Sequence, residues 1–112
     1  MTDFYKKYDV IVVKFPFASR MVYKARPAVI ISSDFYNQQR RNTVFVLAIS
    51  SQTDSKLDFE LPIVHGKAAG LLKPSIFKAS IATIDQSTII AKLGTLAQID
   101  QKHSDNLIQK II

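Results

Sequence analysis

Short apolar runs alternate with polar breaks along most of this chain, and the breaks come too often for long helices until the C-terminal end. Val10-Ile11-Val12-Val13-Lys14-Phe15 is dense in β-branched residues and predicts a strand buried on much of both faces, ended by Pro16. Residues 17–24, F-A-S-R-M-V-Y-K, have no helical period and read as a connection carrying Arg20 and Tyr23. Ala28 to Ile31 predicts a second core strand, opened by Arg26-Pro27. Pro27 fixes its own φ and pushes Arg26 into an extended conformation, so the guanidinium is expected at the strand mouth.

Ser32-Ser33-Asp34 can cap a short helical turn from Asp34 to Arg40, which Asn42 breaks. Thr43 to Ile49 is the clearest strand, and residues 50–56, S-S-Q-T-D-S-K, form a loop after it. From Leu57 to Val64 the chain alternates, with Phe59, Leu61 and Ile63 against Asp58, Glu60 and Pro62. This predicts a half-exposed strand near an edge. A Gly-containing loop, His65 to Gly70, precedes a strand over Ser75 to Ile84, and Asp85-Gln86-Ser87 makes a turn. Ile89 to Leu96 is the last strand, in which Gly94 marks a bulge or a close backbone approach. Beyond it Ile99, His103, Leu107, Ile108, Ile111 and Ile112 recur at helical spacing, with Asp100 as N-cap and Lys110 in the last turn. About six short strands and one helix predict a mainly β domain over residues 1–112, a small curved barrel with its C-terminal helix packed against it.

Composition narrows the setting. With 47% apolar residues the chain can build one core unaided, and the lack of cysteine excludes disulfides and thiolate metal sites. No apolar run is long enough to span a bilayer and the start M-T-D-F-Y is not a signal peptide, so a cytoplasmic protein without membrane contact is expected. Fifteen basic against nine acidic residues give a net charge of +6, which favours a polyanionic partner. His65 and His103 have no partner at metal or triad spacing, and none of the common hydrolase or nucleotide-binding motifs occurs. No metal or cofactor is expected.

Arg26 is the strongest candidate for chemistry, because a guanidinium can hold a phosphate and stabilise the extra charge of a pentacoordinate transition state. Its alternative is a surface ion pair at a strand start. Ser50 could donate a hydrogen bond to the same phosphate, and Ser51 or Gln52 could orient a base or ribose, unless all three are ordinary loop residues. Asp85 reads as a turn-stabilising carboxylate, Arg40-Arg41 as a solvated turn before a phosphate contact, and His103 as half-buried packing.

Taken in order, D-V-I-V-V-K-F-P-F, K-A-R-P-A-V-I-I-S, V-F-V-L-A-I-S-S-Q, G-L-L-K-P-S-I-F, A-T-I-D and the closing helix resemble the MazF/PemK family of toxin endoribonucleases over nearly the whole chain. The resemblance implies an SH3-like barrel with a C-terminal helix, usually a homodimer. It implies metal-independent cleavage of single-stranded RNA at short sequences, and a cognate antitoxin whose tail occupies the RNA groove. By position, Arg26 matches the family's catalytic arginine before proline, and Ser50 the hydroxyl residue after the central strand. The implied mechanism has a ribose 2′-hydroxyl attack the adjacent phosphate while Arg26 and Ser50 hold its oxygens. Phe17 and Tyr23 are nominated to stack on bases. The chain departs from the family pattern at Tyr8, where glycine is common, and at Ala18-Ser19-Arg20-Met21, where glycines and an acidic residue are usual. It also carries Ser80 for the usual glutamine before T-I-D, and Phe77 and Ala79 where some members have Arg and Asp. Arg20, Tyr23 and Lys78 are the residues that could compensate. A gyrase-poisoning toxin like CcdB and a non-catalytic RNA- or peptide-binding barrel are the alternatives.

Overall fold

β-Branched runs and turn signals produce five strands: β1 (Asp9–Phe17), β2 (Arg20–Ile30), β3 (Thr43–Ser50), β4 (Ile76–Asp85) and β5 (Ile89–Thr95). The computed structural model describes residues 4–17, 20–39, 42–53 and 60–112, with side chains described outside 15–24. The strands form one antiparallel sheet in the order β4-β3-β2-β1-β5. Its two outermost strands, β4 and β5, are consecutive in the chain and joined only by the 3₁₀ turn Gln86–Thr88. So short a link draws the two edges of the sheet together at that end and rolls it towards the expected small barrel. Asp85 fixes the turn by accepting from Ser87 N at 2.8 Å, and Thr88 Oγ1 donates to its carbonyl at 2.7 Å.

Both faces of the central strands are buried, as their β-branched density predicts. Val10, Val29, Leu47 and Phe77 pack on one side with Leu107 of the C-terminal helix, while Ile11, Val13, Ala28, Ile30, Val46 and Ile84 pack on the other.

The structure differs from the sequence reading in four places. β1 runs on through Pro16 and β2 begins at Arg20, so most of the expected connection 17–24 is a hairpin arm, with a register shift at Pro16/Phe17 where the proline interrupts regular pairing. Arg26 therefore lies within β2, opposite Val13, rather than at a strand mouth. β2 pairs with β3 only over Ala28–Ile30, so Pro27 lies just beyond that ladder. Second, the expected edge strand Leu57–Val64 is, within its described part, a single bridge between Pro62 and Ile76; residues 57–59 fall outside the described residues. Pro62 has no N–H to continue a ladder, and Glu60, expected to face solvent, is buried.

Third, α1 (Asp34–Asn37) is shorter than expected. Ser33 caps it, accepting from Tyr36 N, and the helix stops where the buried Asn37 amide donates to Tyr5 O and Ser32 O. Arg40-Arg41 falls outside the described residues. Fourth, α2 (Gln98–Ile111) starts one turn earlier than expected, with Ala97 as N-cap. Asp100 is fully buried in its first turn, and its carboxylate accepts from Val64 N at 2.7 Å and His65 N at 2.8 Å. The inward stripe is Asp100, Ser104, Leu107 and Ile111, while Ile99 and Ile112 are exposed. Gly94 shows both expected features: the β1–β5 register shifts beside it, and a Cβ there would stand 2.8 Å from the Ala69 carbonyl carbon.

Candidate active site

Three chain segments meet beside Arg26. β2 carries it there, the end of β3 delivers Ser51, and the stretch Gly70–Ser75 closes the third side around a cavity of about 330 Å³. Arg26 is half-buried, which suits a guanidinium whose stem packs on apolar neighbours while its head meets a ligand. Val12, Pro27, Ile49 and Leu93 supply apolar walls, and Lys73, Ser51 and Ser75 add polar groups to the lining. Ser75 is buried and its hydroxyl donates to Lys73 O at 2.9 Å, which leaves its lone pairs to accept.

The β2–β3 register pairs Ala28 with Ala48. Carried two residues further, it sets Arg26 level with Ser50. Ser50 Oγ accepts from Gln52 N at 3.1 Å, a local turn that bends the chain away after β3 and leaves Ser51 and Gln52 exposed. Arg26 and Ser51 thus share one cavity, with Ser50 and Gln52 on either side of Ser51 in the chain. Lys78 is not brought to it: its ammonium is held at 3.1 Å by Glu60, whose other oxygen accepts from Ala79 N at 2.7 Å. The side chains of Phe17, Arg20 and Tyr23 lie outside the described residues. Phe77 is fully buried in the core, whereas Ser80 is exposed.

The sequence reading missed Lys73, Ser75 and Glu60. A signal for the first two exists, since Lys73-Pro74-Ser75 repeats the cation-before-proline step of Arg26-Pro27, although Lys73 stands at a bend before β4 where Arg26 lies within β2. Nothing local marked Glu60, whose burial depends on Lys78 and Ala79 in a separate strand.

Asp85 of the A-T-I-D stretch serves the turn. Hydrogen bonds from Ser87 hold its carboxyl below the usual carboxylate range. Among the described residues no three His, Asp or Glu side chains gather where they could hold a metal ion.

Known structures share this architecture. The Mycobacterium tuberculosis toxin MazF-mt6 superposes with a TM-score of 0.73 at 20% identity, over 92% of this chain and 94% of that one. An endoribonuclease from Mycobacterial species gives 0.73 at 12% identity, covering 95% and 88%. An endoribonuclease in complex with its cognate antitoxin, also from Mycobacterial species, gives 0.71 at 12% identity, covering 95% and 90%. At such identities these likenesses establish the fold. No curated protein matches the chain in sequence. The family model for the PemK-like, MazF-like toxin of type II toxin-antitoxin systems, however, matches residues 6–112, and the chain belongs to that family.

Proposed function

We propose that this toxin is a sequence-specific endoribonuclease that cuts single-stranded RNA in the Arg26 cavity. The observation that carries the reading is the meeting of Arg26, Ser51, Lys73 and Ser75 around one cavity, level with Ser50, in a chain of net charge +6. Two fork or point cations and several hydroxyls suit a phosphodiester, and the apolar wall of Val12, Ile49 and Leu93 suits a ribose or base edge.

In this reading the ribose 2′-hydroxyl attacks the neighbouring phosphorus. The bond to the 5′-oxygen breaks, a proton passes from the attacking to the departing oxygen, and a 2′,3′-cyclic phosphate and a 5′-hydroxyl result. Arg26 holds the phosphate and stabilises the charge that grows on its oxygens, with Ser50 or Ser51 donating to the same group. Since the nucleophile belongs to the substrate, no metal is needed to generate one from water. Gln52 orients a base or ribose, and Phe17, Arg20 and Tyr23 on the β1–β2 hairpin read the bases. A homodimer, a cytoplasmic location and a cognate antitoxin that covers the same groove belong to this reading. The mycobacterial endoribonuclease seen with its cognate antitoxin supports an antitoxin partner.

The test is incubation of the purified protein with a long single-stranded RNA in EDTA, with chemical analysis of the new ends. Cyclic phosphate and 5′-hydroxyl ends at a recurring short sequence are expected. Uncut RNA, or ends bearing 5′-phosphate, would rule the mechanism out.

A further inference from the structure

A second cavity, of about 410 Å³, adjoins the first and shares Leu71, Leu72, Lys73 and Ser75 with it. Its floor includes the buried Ile63 and Leu71, and its rim carries His65, Lys67 and Lys73, all three exposed. Lys78 and Lys92 have carboxylate partners, Glu60 and Asp9, but the side chains of His65, Lys67 and Lys73 meet no counter-ion among the described residues. The two lysines, left together at a partly apolar hollow, are best compensated by an anion with an apolar body.

The rim is also held in place. Asp100 fixes the Val64 and His65 amides, Leu71 N donates to Gly66 O at 2.9 Å, and Gly70 turns the chain at φ 86°. Asp100 has no cation on its carboxylate among the described residues, so its burial is costly, and the return is a fixed loop beneath Lys67. Leu72 is 96% exposed and lines both cavities, so a strand that occupied both would cross over it.

From this geometry we infer that the second cavity is a subsite for a nucleotide next to the one that is cut. Lys67 and Lys73 take its phosphate, Ile63 and Leu71 support its base, and Leu72 separates the two neighbouring bases. The inference rests on the RNA-cleaving reading above and adds where the strand runs.

The experiment uses a synthetic single-stranded RNA carrying a mapped cut site, trimmed one nucleotide at a time from each end, with KM measured at several salt concentrations. In wild type, KM steps up when the nucleotide that fills this cavity is removed, and the slope of log KM against log salt falls by about 0.7, the value for one single-strand phosphate contact. In Lys67→Ala the step vanishes, while Lys67→Arg restores it. A Lys67→Ala enzyme that keeps every step and its salt slope overturns the subsite. So does one that keeps the steps yet loses affinity for an acidic antitoxin peptide, since the surface would then serve a protein. If wild type cleaves none of the RNAs, the cleavage reading falls first and the subsite with it.

Discussion

The hydroxyl of Tyr8 donates to both carboxylate oxygens of Asp105, at 2.8 and 3.0 Å, and so ties the residue before β1 to the middle of α2. Tyr8 is held there by its backbone as well: its N–H donates to Ile30 O at 2.7 Å and its carbonyl accepts from Leu96 N at 3.0 Å. Tyr8 makes both bonds at a φ of 76°, in the left-handed region that suits glycine. The chain tolerates a tyrosine because the ring packs on the core and the hydroxyl gains a charged partner.

Burial, then the hydrogen bond to Asp105 and its charge, raise the Tyr8 phenol from 10.0 to about 12. The folded state therefore holds this proton more tightly than the unfolded state. Its contribution is full below pH 10 and is lost as pH rises towards 12. Tyr8→Phe is expected to lower stability by about 1 kcal/mol at neutral pH, the scale of one partly exposed hydrogen bond. Between pH 10 and 12 the gap between the two proteins should close. Chemical denaturation of both across that range is the check, and a gap that stays constant contradicts the coupling.

The strain at Tyr8 makes a second expectation. Tyr8→Ala keeps a side chain at positive φ while losing the hydroxyl and the packing, whereas Tyr8→Gly loses the same contacts but is free of the strain. Glycine should be the milder substitution by about 1 kcal/mol. Thermal unfolding of the pair decides it, and alanine proving the more stable would show that the backbone there is unstrained.

Asp100→Asn removes the charge from two hydrogen bonds and replaces one acceptor oxygen with a donor facing an amide. A loss of about 3 kcal/mol is expected, since bonds to charged groups contribute more and one buried N–H is left without a partner. Amide exchange at Val64 and His65 should accelerate more than exchange in β3, because the loop loosens before the sheet does. Uniform acceleration throughout the protein would show that Asp100 acts on global stability alone.

What could be read from the sequence was what local pattern decides. β3 agrees nearly to the residue and the cap, Ser33, falls within the Ser32-Ser33-Asp34 stretch expected to supply it, because apolar density and capping are written in neighbouring positions. The β1–β2 hairpin was hidden because residues 20–24 have little apolar alternation and form a strand by pairing with β1. Asp100 looked like a cap because a carboxylate before a helix and one in its first turn look alike in sequence; the partners that bury it lie 35 and 36 residues away. At the site, Arg26 stood out through its Arg-Pro step and Ser50 with Ser51 through the end of β3. Lys73 and Ser75 join Arg26 and Ser51 by tertiary convergence. Over residues 60–64 the expected edge strand comes down to one bridge, because Pro62 cannot extend a ladder.

The site reading also separates activity from stability. Ser51→Ala removes a hydroxyl at an exposed position, so it should leave the unfolding temperature within a degree or so of wild type while slowing RNA cleavage about tenfold. Equal cleavage by the two proteins would take Ser51 out of the site.

The most direct measurement sets wild type beside Arg26→Ala on one long single-stranded RNA in EDTA, with the new 5′ ends mapped by primer extension and both proteins shown to be folded. Discrete cuts by wild type at a recurring short sequence, reduced about 100-fold or more in the variant, are expected if the guanidinium stabilises the transition state. Equal cutting by a folded Arg26→Ala protein would contradict the central claim.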